Sequence, residues 1–540
     1  MTTRQTVQEQ VTSRRRMGVL FAMCLALVLV VGSVSGVNLV LPSVAVAIGA
    51  SATQLTWIAD AYTVALAALV LPMGALGDRL GRRNVLLAGT VVFGAGAAVG
   101  AAASSASVLI VARAVMGLGA AMIMPGTLST ITAVFPSEER ARAVGIWSGF
   151  AVSGSILGML LSGALLEQFS WVSTFVAAAA LAGVAFVAAA VLAPNTADPH
   201  HARLDVVGSV LSGVGIGGLV FGIIEGSERG WLSPLSVGGF AAAAGGLVGW
   251  AMWSLRVEHP LLDPRLFRLR GFATGSAAIT VQFLVTLGFF LVGLQFLLLV
   301  LGYSALMSTV ALLPIAAVAM PVSVVAPALA ARVGVRPVIA SGMATIAVGF
   351  VLLAQLRVDS TYWSFVIGLG VFGVGVSLAS TPATTAIVSS LPRAKQGVAS
   401  AVNDVSRELG SAIGIATLGS LFNRGYVHAI ESTTNGLPAS VADVVRRSPA
   451  AGLDVAGRMG PNGAALAHGV KSAFIQGLGA ALVGGVIISL LGAAFIVWRG
   501  PHRSDDTAAD IDENMPASFA DASSTIPTAG PAPAIEGAAA

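Results

Sequence analysis

Charge is what this sequence has least of. Only 10% of its 540 residues are Asp, Glu, Lys or Arg, against about 25% in soluble domains. That scarcity excludes a globule with a hydrated, charged exterior. A single cysteine, Cys24, rules out an intrachain disulfide. No Gly-Lys-Ser/Thr phosphate loop, metal-ligand spacing or nucleophile elbow occurs in the chain. With those signals missing, no enzyme, metal site, cofactor or nucleotide-driven machine is expected. The net charge of +4 does not make a nucleic-acid surface either, because the basic residues are scattered among short segments.

What is present is apolar length. Hydrophobic residues make up 56% of the chain. They fall in runs of about 20, each long enough to cross roughly 30 Å of hydrocarbon as a helix. The runs do not alternate in polarity as barrel strands must. Fourteen spans are predicted: 17–46, 54–76, 84–104, 107–134, 143–166, 171–193, 206–226, 235–255, 272–300, 304–330, 338–356, 362–390, 398–422 and 472–498. Arg14–Arg16 ahead of the first run imitates a signal peptide, but the run is too long for one and reads as a retained helix.

An even number of spans puts both termini on one side. Every short loop on that side carries a basic residue, whereas the short loops opposite hold only Arg229 and Arg357. The positive-inside rule makes the basic side cytoplasmic. Residues 1–16 are then a cytoplasmic amino terminus, and 423–471 is a long extracytoplasmic loop expected to have little fixed structure. Residues 499–540 form a cytoplasmic tail too poor in large apolar residues to fold.

The chain also repeats itself. Gly-Ala-Leu-Gly-Asp-Arg-Leu-Gly-Arg-Arg at 74–83 returns, worn, as Pro-Ala-Leu-Ala-Ala-Arg-Val-Gly-Val-Arg at 327–336. Leu76, Arg79, Gly81 and Arg83 reappear in register as Leu329, Arg332, Gly334 and Arg336, while Ala331 replaces Asp78. A second echo places Pro125 in span 4 and Pro382 in span 12. The repeats lie eight spans apart, which fits two six-helix bundles, 17–193 and 272–498, around a linker of two extra spans at 194–271. Such an all-α plan usually belongs to a transporter whose halves rock about a central site.

A charge deep in a bilayer is costly, so charged residues within spans mark candidate sites. Arg113 in span 4 cannot deprotonate and needs an anionic or carbonyl partner; it is either a static pin or a counter-charge that exchanges partners. Asp60 sits near Trp57 and Tyr62 in span 2, where an indole and a carboxylate could converge on a lipophilic cation; the alternative is an interfacial aromatic belt with a solvated aspartate. Asp404 and Glu408 share a face of span 13 with Arg407 beside them, as a proton-loading group or a static ionic network. Glu225 is placed at the outer mouth of span 7.

These features together resemble the major facilitator superfamily, and within it the fourteen-helix drug:proton antiporters that include quaternary-ammonium efflux pumps. The hinge is matched by Gly74, Gly77, Asp78, Arg79, Gly81, Arg82 and Arg83. Asn38–Pro42, Trp57–Tyr62, Arg113, His259–Arg268 and the Gly397, Ser400, Arg407, Gly410 series also match. Three positions depart: Ser33 replaces an acid of helix 1, Gly154-Ser155 replaces Gly-Pro in the helix 5 motif that Gly158 continues, and Val172 replaces an arginine.

The resemblance implies that Asp78 latches the two halves when the cavity faces outward, and that the acids of span 13 take part in coupling. The expectation is therefore a monomeric inner-membrane exporter that exchanges protons for small-molecule drugs, above all lipophilic cations. A dedicated exporter of an endogenous metabolite or antibiotic, and a non-transporting sensor on the same fold, are the alternatives.

Overall fold

The computed structural model describes residues 13–195, 204–391, 395–435 and 437–501. The expected tail beyond 501 and the first twelve residues lie outside the described residues. The helices corresponding to the fourteen spans are α1 (Ser13–Ile48), α2 (Ala52–Leu80), α3 (Arg82–Ala101), α4 (Ala106–Val134), α5 (Ser137–Gln168), α6 (Val172–Leu192), α7 (Val206–Arg229) and α8 (Pro234–Ser254). They continue with α9 (Arg270–Val300) and α10 (Ala305–Val333), then α11 (Val335–Leu353), α12 (Tyr362–Ser389), α13 (Gln396–Thr434) and α14 (Ala464–Arg499).

Among the described residues, thirteen helices are long and apolar enough to cross a membrane. The exception is α13, which spans 39 residues but carries Asp404, Arg407 and Glu408 within its apolar stretch.

Local chemistry sets the helix boundaries. Ser51 and Gln54 form a reciprocal capping box at the start of α2, and Asp205 caps α7 by accepting the Gly208 N–H at 2.8 Å. Gly81 breaks α2 from α3 with φ +96°, and Gly334 breaks α10 from α11 with φ +100°. Residues with a Cβ rarely take that conformation, so the repeated glycine has a repeated job.

The packing repeats as well. In the first half α1 packs on α5, α2 on α4, α3 on α4 and α3 on α6; in the second half α9 packs on α13, α10 on α12, α11 on α12 and α11 on α14. Each contact recurs eight helices later. The halves meet along two seams, α2 against α13 and α5 against α10. The inserted α7 docks on α2 and α13, and α8 packs on α7. The insertion therefore covers one seam only. Asp205 fastens it further, accepting from Trp253 Nε1 at 2.8 Å and from the Leu261 N–H at 3.0 Å.

The stretch 423–471 departs from the expectation of little fixed structure. Helix α13 continues unbroken to Thr434, and two short helices, Ala439–Arg447 and Pro449–Arg458, precede α14, which starts at Ala464. Tyr426 Oη donates to the Val445 carbonyl at 2.7 Å, and Phe422 meets Phe474 edge-on at 5.0 Å. The small apolar residues Ala442, Val445 and Ala456 are buried, while Asp443–Arg447 and Asp454–Arg458 pair on the exposed side. The high proportion of Gly, Pro, Ser and charge concealed these amphipathic turns.

Candidate functional site

Where the halves meet, a cavity of about 220 Å³ is lined from both bundles and from the insertion. Its titratable side chains are Asp60 of α2, Glu228 of α7, and Arg407 and Glu408 of α13; Val31, Val34, Phe283, Leu287 and Ile415 supply apolar wall. Three carboxylates and one guanidinium thus line one largely apolar space.

Asp78 closes the opposite end of the α2–α13 seam. It is 5% exposed, and its Oδ1 accepts the Gly397 N–H at 2.9 Å while Oδ2 accepts the Val398 N–H at 3.2 Å. These donors are free because they belong to the first turn of α13, whose dipole favours a carboxylate. Arg82 completes the cluster, donating from Nη2 to Asp78 Oδ1 at 2.8 Å and from Nη1 to the Ser129 carbonyl at 3.3 Å. Backbones come unusually close here: a Cβ on Gly74 would stand 2.6 Å from the Gly397 carbonyl oxygen.

The remaining hinge residues are peripheral. Arg79 is exposed, and Arg83 Nη2 donates to the Ala190 carbonyl of α6. At the mirror seam, Gly145 of α5 lies against Ser323 of α10, and no counterpart of Asp78 stands at Ala331.

Arg113 is fully buried and forms no carboxylate pair among the described residues. Its Nε donates to the Ile58 carbonyl at 3.0 Å, Nη1 to that of Ser33 at 3.4 Å and Nη2 to that of Ala59 at 3.5 Å. Its guanidinium carbon lies 4.4 Å from the Tyr62 ring centre. The arginine thus clamps α1, α2 and α4 through main-chain oxygens. Ser33 contributes its carbonyl, and its hydroxyl bonds back to Leu29 at 2.7 Å.

The aromatic partners expected for Asp60 are elsewhere. Tyr62 is buried, donates to the Val30 carbonyl at 3.1 Å and meets Phe93 edge-on. Trp57 packs on Phe221 of α7 at 5.5 Å. Neither lines the cavity. Tyr62 is two residues beyond Asp60, roughly 200° around the helix, and the indole is covered by the inserted helix.

Asp404 and Glu408 separate by depth. Glu408 lines the cavity, whereas Asp404 lies one turn nearer the latch and is fully buried. Asp404 Oδ1 accepts from Asn403 at 3.4 Å, and its Oδ2 has no hydrogen-bond partner. Arg407 lies between Trp147 of α5 at 4.7 Å and Phe283 of α9 at 5.1 Å. Gly154 and Gly158 are packing positions: a Cβ on Gly32 of α1 would stand 3.2 Å from Gly158 Cα. With serine at 155, α5 runs unbroken and contains no proline.

Glu228 escaped the sequence reading, which singled out Glu225. That residue is buried against Arg229 at 3.0 Å. Glu228 turns the other way, sharing a face with Ile224, and only the docking of α7 places that face on the cavity. The available signal was weak: one more acid in a last turn.

The family pattern of the Major Facilitator Superfamily matches residues 23–415. The chain belongs to the Major Facilitator Superfamily. It is thus a member of a family of membrane transporters rather than of enzymes. Among its relatives in this superfamily, multidrug efflux pump LfrA of Mycolicibacterium smegmatis is 32% identical over 460 residues, covering 84% of this chain and 90% of the relative. Methyl viologen resistance protein SmvA of Salmonella typhimurium is 31% identical over 442 residues, covering 80% and 88%. Cephamycin export protein CmcT of Amycolatopsis lactamdurans is 34% identical over 426 residues, covering 78% and 86%. Two solved structures share the fold at 14% identity: the human organic anion transporter MFSD10, with TM-score 0.60 over 89% of this chain and 99% of that one, and the proton:xylose symporter XylE, with TM-score 0.56 over 93% and 99%.

Proposed function

We propose that this chain is a multidrug or antibiotic efflux transporter of the inner membrane, which admits protons and expels amphipathic, cationic compounds by alternating access. The observation that carries this reading is the shared cavity of Asp60 and Glu408, closed at one end by the Asp78 latch. LfrA is named as a multidrug efflux pump, CmcT as a cephamycin export protein and SmvA as a methyl viologen resistance protein, which supports the drug or antibiotic efflux part of this reading.

In this reading Asp60 attracts the cation, and Glu408 and Asp404 carry the coupling protons. Arg407 sits between them in sequence and tunes both. The latch and the acids are on one helix: Gly397 and Glu408 are eleven residues apart, about 16 Å along α13. A change of charge at Glu408 or Asp404 that moves α13 therefore pulls directly on the bonds to Asp78. With both termini cytoplasmic, the latch closes the inner end and the cavity faces outward, the state from which a drug leaves and a proton enters. Each charge moved is worth about 2.3 kcal/mol per 100 mV, enough to drive a solute uphill. The chain works as a monomer, since both halves of the site lie within it.

Reconstitution into vesicles with an imposed pH gradient tests this. Accumulation of a lipophilic cationic dye should follow the gradient, collapse with a protonophore and fall at least roughly tenfold in Asp60→Asn, in line with loss of a buried charge partner. Accumulation indifferent to gradient and protonophore rejects antiport, and unchanged cation transport in Asp60→Asn rejects its role.

A further inference from the structure

The cation reading gives two side chains of the cavity no part of the ligand to hold. One is Glu228, which the inserted helix α7 brings to the wall together with Ile223, Ile224 and Ser227. The other is Arg407. Resting on the transport reading above, we propose that the cavity is a bipolar site for amphoteric ligands, compounds that carry an amine and a carboxylate on one compact apolar body. Asp60 and Glu228 hold the ammonium end and Arg407 holds the carboxylate end.

The contrast among buried arginines carries the argument. Arg82 is bound by Asp78 and the Ser129 carbonyl, and Arg113 by three carbonyls. Arg407 is equally buried, at 3% exposure, yet its Nε and Nη2 have no hydrogen-bond partner. Among the described residues no ion pair joins it to Asp404 or Glu408. Trp147 and Phe283 cover the guanidinium, which leaves its donor edge for something that arrives. That edge is a planar fork matched to a carboxylate, and its charge cannot be lost.

At the other pole, Glu228 is exposed and forms no salt bridge among the described residues, while its neighbour Glu225 is occupied by Arg229. Glu408 lines the cavity beside Arg407 on α13, and Asp60 of α2 and Glu228 of α7 form the anionic pole. The cavity is smaller than the roughly 300–1,000 Å³ of drug-sized sites, so the ligand body is compact. On this account the inserted helix pair is part of the binding site as well as a cover for the seam.

Calorimetry on the full chain in lipid nanodiscs tests the proposal with three rigid probes: benzyltrimethylammonium, its 4-carboxy derivative and benzoate. The carboxy derivative should bind wild type about tenfold more tightly than benzyltrimethylammonium, as a charge-assisted fork adds at least that much, and benzoate should bind weakest. Arg407→Gln should erase the preference between the two ammonium probes, and Glu228→Gln should weaken both alike. Equal or weaker binding of the carboxy derivative to wild type overturns the bipolar site, and needs no variant to fold. Arg407→Gln that weakens both ammonium probes equally also overturns it, by making the arginine merely structural. If the bipolar site alone is wrong, dye transport in vesicles persists; if transport is absent too, the underlying reading fails with it.

Discussion

Asp78 and Gly397 stand 319 residues apart in sequence, and the carboxylate of the first accepts the backbone N–H of the second at 2.9 Å. The bond crosses from the first half to the second at the start of the helix that also bears Asp404, Arg407 and Glu408. Its strength comes from burial, from the neighbouring Val398 N–H and from Arg82, which holds the carboxylate in place. Asp78→Asn keeps an acceptor but loses the charge. Charge-assisted bonds contribute roughly 1.5–3 kcal/mol, so this end should open at least about tenfold more often. In a Cys24→Ser background carrying Ala401→Cys, labelling by a membrane-impermeant maleimide should rise by about that factor; unaltered labelling would show that something else holds the end shut.

Glycine spacing makes a second prediction at the same seam. A Cβ at Gly74 would meet the Gly397 carbonyl at 2.6 Å and Ala401 Cβ at 2.8 Å, whereas one at Gly77 finds no atom nearer than 4.0 Å. Gly74→Ala should destabilise this conformation by roughly 1–3 kcal/mol through overpacking. Gly77→Ala should be neutral or stabilising by up to about 1 kcal/mol, as alanine suits a helix better. Thermal unfolding of the two variants in detergent, side by side, decides the matter, and equal shifts would contradict the geometry.

Arg113 draws on three carbonyls from two helices. Lysine keeps the charge but not the fork that reaches Ser33, Ile58 and Ala59 together. Arg113→Lys should cost roughly 1–3 kcal/mol of stability for the lost bonds, seen as a lowered Tm. A Tm equal to wild type would deny the clamp.

Tyr62 supplies a control for the cavity. Its hydroxyl is engaged by Val30 and its ring by Phe93 and Arg113, so Tyr62→Phe should lose roughly 1 kcal/mol of stability. Relative transport rates across a panel of cations should stay in wild-type proportion. Changed proportions would return Tyr62 to the substrate path.

Much of the architecture could be read before folding. Run length predicted the helices, because a bilayer sets the length of what crosses it. The glycines at 81 and 334 marked equivalent turns, because both require positive φ. Asp60, Arg113 and the trio in α13 announced themselves by charge, because a charge in an apolar run is too costly to be incidental. Which partner each charge takes was another matter.

Sequence alone settled the helical class and the two-fold repeat and singled out buried charges as candidates, since these follow from hydrocarbon thickness, backbone sterics and the cost of burying charge. Tertiary structure alone settled that Arg113 takes carbonyls, that Tyr62 and Trp57 turn from the cavity, and that Glu228 turns into it. Those outcomes depend on how helices distant in sequence dock and rotate against one another, and helical periodicity identifies the faces of a helix without naming the neighbour each face will meet.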